Sequence, residues 1–337
     1  MNKGITIAGN ILVDAVKIID VYPECGMLAN IKKESKAVGG CVPNTAINLA
    51  KIDNTVSLTA LGMVGNDDNG RFVVGEMAKY GIDVSKIITD SAEKTSYSDV
   101  MTCEKNGSRT FFHSRGANKK FAPENIDIAK LETDIFHIGY ILLLDKFDED
   151  DEIYGTKTAK LLSEIQKRNI KTSIDAVSDM NGQFAKKIIP ALKYCNFAIM
   201  NEIESCGVVN LPARDGNGKL IINNIIKTME KFFLFGVKDT VIIHCPEAGF
   251  IMDSKGNYKA VPSLELPKDF IKGSVGAGDS FCAASLYGLY SGMNLSEILE
   301  FASSAAACNL SESDSISGML DKKGILEMSK KFGRKQL

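Results

Sequence analysis

The sequence predicts an α/β fold with a mostly parallel central sheet and helices on both of its faces. Three observations carry that expectation. Short apolar runs recur along the chain with little internal alternation, as strands buried on both faces require. Longer stretches with helical spacing separate them, and alternating β and α segments favour a parallel sheet. Two pairs of strand-like runs have no helix between them and stand outside the alternation.

In chain order, the strand candidates are Ile5–Gly9, Val56–Leu61, Ile135–Ile138, Lys171–Asp175, Phe197–Met200 and Thr240–His244. The helical candidates are Pro43–Ile52, Gly70–Tyr80, Tyr154–Arg168, Gln183–Leu192 and Leu220–Phe235, and beyond Asp279 the chain reads as almost all helix. The pairs outside the alternation are Val13–Val21 with Met27–Ala37, and Ser96–Glu104 with Ser108–Ser114. The second pair flanks Lys105-Asn106-Gly107, and Asn-Gly is a strong hairpin signal. Together they are expected to form a small separate sheet, either a lid or dimer surface or plain edge hairpins. No repeat, low-complexity tract or linker divides the 337 residues. A single domain over 1–337 is expected, with the small sheet inside 11–40 and 95–116.

The hydrophobic fraction of 45% suits a packed core. A formal charge of -2 disfavours a non-specific nucleic-acid binder. No apolar run reaches the length of a membrane span, and no cleavage site follows the first short apolar run. A cytoplasmic protein without nucleic-acid or membrane partners is therefore expected. The eight cysteines show no Cys-x-x-Cys spacing, which favours reduced, buried thiols over a disulfide frame or zinc site. The three histidines are too scattered to suggest a metal cluster, and a structural role is expected for each.

The most informative segment is Gly273-Ser274-Val275-Gly276-Ala277-Gly278-Asp279. Small residues let the backbone approach a ligand and take positive φ. The first N–H groups of the helix that follows favour an anion. Asp279 stands where an N-cap would stand, and also where a base could take a proton from a hydroxyl beside the anion. Such a pairing suits phosphoryl transfer to an alcohol. Near the N-terminus, Gly39-Gly40 precede a helix carrying Asn44, and Asp14 follows the first strand. Asp14 and Asn44 could bind hydroxyls, or the glycines could simply start a helix with Pro43 in its first turn. Asn201 and Glu204 follow an apolar strand, either to hold the water shell of Mg²⁺ or as a solvated acidic loop. Arg115-Gly116-Ala117-Asn118 could position a substrate or order the loop below the small sheet. There is no Gly-x-x-x-x-Gly-Lys-Ser/Thr and no complete Gly-x-Gly-x-x-Gly, which disfavours P-loop and nicotinamide-binding folds.

The ordered set Gly39-Gly40 with Asn44, Leu61-Gly62-x-Val64-Gly65-x-Asp67, Arg115-Gly116-Ala117-Asn118, Asn201-x-x-Glu204 and Gly276-Ala277-Gly278-Asp279 resembles the ribokinase-like (PfkB) sugar kinase family. The resemblance spans residues 5 to 310. It implies a three-layer α/β/α domain with a β-sheet lid that often serves in dimerisation, and transfer of the ATP γ-phosphoryl group to a hydroxyl of a sugar or nucleoside. By matching positions, Asp279 is the base and the N–H groups of Gly276, Ala277 and Gly278 form the anion hole. Asp14, Gly39, Gly40 and Asn44 bind acceptor hydroxyls. Asn201 and Glu204 help place Mg²⁺ and the phosphates. His244, Gly249 and Asn309 face the nucleotide, and Ser274 supports the anion hole.

The chain departs from the family where Gly273-Ser274 replaces Asp-Thr, which puts potassium activation in doubt. His244-Cys245-Pro246 stands for Thr-Leu-Gly, and the polar run Ser311–Ser317 replaces a Gly/Pro-rich nucleotide loop. Two other readings remain at this stage. One is a nucleoside or sugar-phosphate kinase, the latter with a basic pocket from Arg115, Lys119 and Lys120. The other is a non-catalytic sugar- or nucleotide-binding homologue, hinted at by Gly273.

Overall fold

The structure, a computed structural model, describes residues 3–105, 108–178 and 182–337. Strands and helices are numbered here in chain order. An eight-stranded sheet contains β1 (Ile5–Ala8), β4 (Leu58–Leu61), β9 (Ile135–Ile141), β12 (Lys171–Ala176), β13 (Phe197–Asn201), β14 (Thr240–His244), β15 (Ala248–Asp253) and β16 (Tyr258–Pro262). Its spatial order is β16-β15-β14-β13-β12-β9-β1-β4. The pairs from β4 to β14 are parallel, and β15 and β16 add an antiparallel edge. Each parallel candidate is present, with ends shifted by a few residues. The antiparallel edge was not anticipated.

Helices α1 (Cys41–Ile52), α7 (Ala277–Tyr290) and α8 (Leu295–Asn309) cover one face, where Ile47, Leu49, Leu286 and Phe301 pack with Ile7, Ile199 and Ile242. Helices α3 (Lys157–Gln166), α4 (Phe184–Leu192), α5 (Glu202–Val208) and α6 (Ile222–Phe235) cover the other, where Leu162, Ile188, Ile225 and Phe232 pack with Phe136, Met200 and Ile243. Successive strand side chains alternate between the two clusters, as the period of two demands. Helices α2 (Asp68–Lys79) and α9 (Lys322–Lys331) complete the set. The Asp67 carboxylate starts α2 by accepting from the Gly70 N–H at 2.8 Å. The third helical candidate begins at Lys157 rather than Tyr154. Gly155–Thr156 (β11) pairs with Asp150–Asp151 (β10), and the Thr156 hydroxyl then caps α3 by accepting from the Ala159 N–H.

The second sheet has the order β3-β2-β7-β8, from β3 (Ile31–Gly39), β2 (Leu12–Ile19), β7 (Ser96–Cys103) and β8 (Arg109–Ser114). Both unalternated pairs are thus antiparallel hairpins, joined by a parallel β2–β7 seam. Asn106 and Gly107 of the expected turn lie outside the described residues. A short parallel pair, β5 (Met63–Gly65) with β6 (Ile88–Asp90), lies beside them in the chain. All eight cysteines are unpaired, and seven are buried. Among the described residues, no helix is long and apolar enough to cross a membrane.

Candidate active site

Parallel topology brings the carboxyl ends of β9, β12, β13 and β14 to one rim of the sheet, where α7 also begins. Gly276 caps that helix with φ +75°, and Asp279 is its third residue. The expected N-cap role of Asp279 is therefore corrected. Its carboxylate makes its hydrogen bonds to side chains of other elements and is only 8% exposed. Asn44 Nδ2 donates to Asp279 Oδ2 at 2.8 Å, and the Tyr140 hydroxyl lies 3.1 and 3.0 Å from its two oxygens. Burial first, then the nearby Asp175 charge, push the Asp279 carboxyl up to about 7, against the pull of its hydrogen bonds to Asn44 and Tyr140. A carboxylate so tuned is suited to exchange a proton near neutral pH. The Ala277 N–H makes only a long 3.4 Å bond to the Ser274 carbonyl, and first-turn amides are those a helix leaves without internal acceptors.

A cavity of about 250 Å³ opens beside this turn, lined by Asp175, Ser178, Asn201, Glu204, His244, Gly276, Gly278 and Asp279 among others. Asn201 and Glu204 are not a solvated acidic loop. Asn201 caps α5, its Oδ1 accepting from the Glu204 N–H at 2.8 Å. The Glu204 carboxylate returns to the Asn201 N–H at 3.1 Å and accepts from Asn201 Nδ2 and the Ser178 hydroxyl. Burial pushes the Glu204 carboxyl up to about 8. His244 stacks on Phe281 with ring centroids 4.9 Å apart, and burial holds its imidazole down at about 4. It is a neutral wall of the cavity.

On the other side of Asp279, Asn44 has both ends engaged, its Oδ1 accepting from the Ser315 hydroxyl at 2.7 Å. Asn44 thus orients Asp279. Gly40 caps α1 at φ +88°, where a Cβ would sit 2.5 Å from the Asn10 carbonyl oxygen. A Cβ at Gly39 would lie 2.6 Å from Asp14 Oδ2, so the glycine makes room for that carboxylate. Burial pushes Asp14 up to about 7. Asp14 lines a second cavity, of about 120 Å³, between the four-stranded sheet and residues 313–315.

Several expected residues are placed differently. Gly249 is buried against Phe281 and Leu299. Asn309 is fully buried and braces the glycine turn from beneath, Nδ2 donating to the Val275 carbonyl at 2.7 Å. Neither lines the cavity beside the turn. Ser274 is exposed on the approach to the turn. Arg115, Lys119 and Lys120 pair with Asp145, Glu93 and Asp90, so they form no unpaired basic pocket. Asn118 bonds both backbone groups of Ile11 and fixes the entry to β2.

Sequence reasoning missed Tyr140 and Asp175. Tyr140, next to last in β9, has φ +60°, and its N–H donates to Asp175 Oδ1 at 2.5 Å. Positive φ in a tyrosine is a costly conformation held by its surroundings. The available signal was a carboxylate closing an apolar parallel strand. The histidines do not cluster with one another, but His137, Asp175 and Cys282 bring ligand-type atoms within 4.8 Å beneath the site.

Residues 8–323 match the family described as pfkB family carbohydrate kinase. The Arabidopsis thaliana protein named ribokinase is 23% identical over 328 residues, covering 97% of this chain and 81% of that protein. The 5-dehydro-2-deoxygluconokinase of Shouchella clausii (strain KSM-K16) is 24% identical over 297 residues, covering 85% and 84%. The structure of Arabidopsis thaliana ribokinase complexed with ribose and ATP matches with a TM-score of 0.78 at 19% identity, over 98% of this chain and 99% of that one, and so shares its fold. The chain belongs to the pfkB family of carbohydrate kinases, phosphotransferases that act on an alcohol group.

Proposed function

We propose that this protein transfers the γ-phosphoryl group of ATP to a hydroxyl of a small carbohydrate, with Asp279 as the base. The observation that carries this reading is the position of Asp279. It is a buried carboxylate held by Asn44 and Tyr140 at the first turn of α7, lining the Glu204 cavity and joined through Asn44 to Ser315 in the wall of the Asp14 cavity. In this reading the acceptor lies on the Asp14 side and the nucleotide phosphates on the Glu204 side. Asp279 takes the proton of the attacking hydroxyl. The N–H groups of Gly276, Ala277 and Gly278 hold the charge of the transferring group.

The donor set on the nucleotide side fits Mg²⁺. Asp175, Glu204 and Asp279 line one cavity, with Asn201 beside them, and raised carboxyls at Glu204 and Asp279 mark anions lacking a cationic partner. Bound there, Mg²⁺ would supply charge neutralisation for the phosphates. Potassium has no side-chain oxygen at Gly273, and a Cβ there would lie 3.0 Å from Arg109 Nη2, so a potassium-independent rate is expected. Exposed Ile31 and Phe112 on the four-stranded sheet, with exposed Met27 and Leu28 in the β2–β3 connection, support a homodimer paired through it.

The test is ADP release from Mg²⁺·ATP across sugars, sugar acids, nucleosides and sugar phosphates, with and without K⁺. Asp279→Asn is expected to lose about 10²- to 10⁴-fold in kcat while its melting profile shows a folded protein. Near-normal turnover in that variant would exclude Asp279 as the base.

A further inference from the structure

The four-stranded sheet turns one face toward the catalytic turn, and its pairing sorts that face into three cross-strand rows. The row nearest the turn is Ala37, Asp14, Ser98 and His113. The next is Ser35, Val16, Val100 and Phe111, and the outermost is Lys33, Ile18, Thr102 and Arg109. All three rows contribute to the cavity that Val275 and residues 313–315 close from the other side.

The outermost row is chemically incomplete. Arg109 Nη1 and Thr102 Oγ1 are both buried and without a hydrogen-bond partner, although the two residues face each other across adjacent strands. An unpaired buried donor on a guanidinium is costly, and so is rarely retained without a function. Burial alone holds the Arg109 guanidinium below its ordinary range, with no carboxylate opposing it. Of the acidic groups nearby, Glu312 is engaged elsewhere, Asp314 lines the cavity with one oxygen engaged, and Asp14 lies at the other end. Glu312 pairs with Lys272 at 2.9 Å, and Asp314 Oδ1 accepts from the N–H groups of Ile316 and Ser317. Asp14 sits two rows away, against Gly39. Lys33 adds a second cation to the outer end. One end of the cavity therefore suits hydroxyls and the other an anion.

We propose that the acceptor is an anionic polyol, a sugar carrying a carboxylate or a phosphate, whose anion is taken by Arg109 and Thr102 while its hydroxyl end points toward Asp14 and Asp279. The proposal rests on the kinase reading for the reaction but not for binding. A guanidinium holds either oxyanion through paired N–H donors. Loss of one buried charge-assisted pair costs on the order of a hundredfold in affinity.

The test uses the full chain, with ADP release and nucleotide-free calorimetric titration run in parallel. Each is done with chain-length-matched sets of a neutral sugar, a sugar acid and a sugar phosphate. One anionic set is expected to show kcat/KM at least about tenfold above the neutral set, and which set wins separates carboxylate from phosphate. Arg109→Met should lose about a hundredfold in kcat/KM for that acceptor, and Thr102→Val a smaller factor, each loss exceeding that for the neutral sugar. Equal or better use of the neutral sugar by the wild type overturns the proposal and leaves the kinase standing. So does an unchanged KM for the anionic acceptor in Arg109→Met. If no acceptor releases ADP, tight anion binding abolished by Arg109→Met upholds the pocket while the kinase reading fails. Absence of both turnover and anion binding sinks the proposal.

Discussion

Asp279 and Tyr140 meet although 139 residues separate them, because the ends of β9 and the start of α7 share one rim. The charged form of Asp279 is favoured by its bonds to Asn44 and Tyr140 and opposed by burial and Asp175. In the proposed reaction kcat/KM should therefore rise with pH through a midpoint near 7. Tyr140→Phe removes one bond that holds the charge and should move the midpoint upward. Profiles of kcat/KM for both proteins decide this, and a midpoint that stays put or falls counts against the assignment. Asp279, Asn44 and Asp14 were legible in the sequence because they sit in or beside local glycine patterns. Tyr140 and Asp175 were not. Their importance comes from a contact between two strand ends, which no local spacing encodes. Arg109 was hidden for the same reason, since only strand register reveals which side chains share its face.

At the scale of elements, the apolar parallel strands were readable because each carries a continuous hydrophobic run. In the antiparallel edge, β16 mixes exposed and half-buried residues, which dilutes its pattern, while β15 is a buried apolar run that follows β14 after only three residues and so does not stand apart from it. Helix starts were shifted where a side-chain cap overrode periodicity, as at Thr156. The Gly276–Asp279 turn itself is a tight device. Gly276 holds φ +75°, and a Cβ there would meet the Ser315 Cβ at 2.4 Å. Gly276→Ala should cost about 1–3 kcal/mol and misplace the amides of the turn. Thermal denaturation and kcat should both fall, and retention of full kcat would show that the turn tolerates displacement. Beyond the site, Arg214 joins the buried Glu202 to Glu247 and closes α5 against the β14–β15 hairpin. Arg214→Met leaves Glu202 buried without its partner, and a loss of about 1–3 kcal/mol is expected in denaturant unfolding. A loss below half that range would mean water or a neighbour replaces the guanidinium.

For the whole molecule, the site carries a thermodynamic signature. Asp14 and Asp279 titrate near 7 and Glu204 near 8, against about 4 for such carboxyls in an unfolded chain. Above pH 6.5 the folded chain thus holds more protons than the unfolded one, and stability falls as pH rises toward 8. His244, held at about 4, works in the opposite sense, mostly below the ordinary imidazole value of 6.5 and only weakly above it. The melting temperature of the ligand-free protein should therefore be lower at pH 8 than at pH 6.5, with a smaller difference in Asp279→Asn. A rise over that interval would contradict the burial of these groups. The cavity beneath the four-stranded sheet has walls from two parts of the chain, residues 14–38 and 100–111 on one side and 275 and 313–315 on the other. Its width is set by the spacing of those walls, so under the proposed function it would act as a caliper. An acceptor of the right length would span the jaws and seat its hydroxyl toward Asp279. A shorter one would rattle and a longer one would prop them apart, which would make chain length a selection rule distinct from stereochemistry.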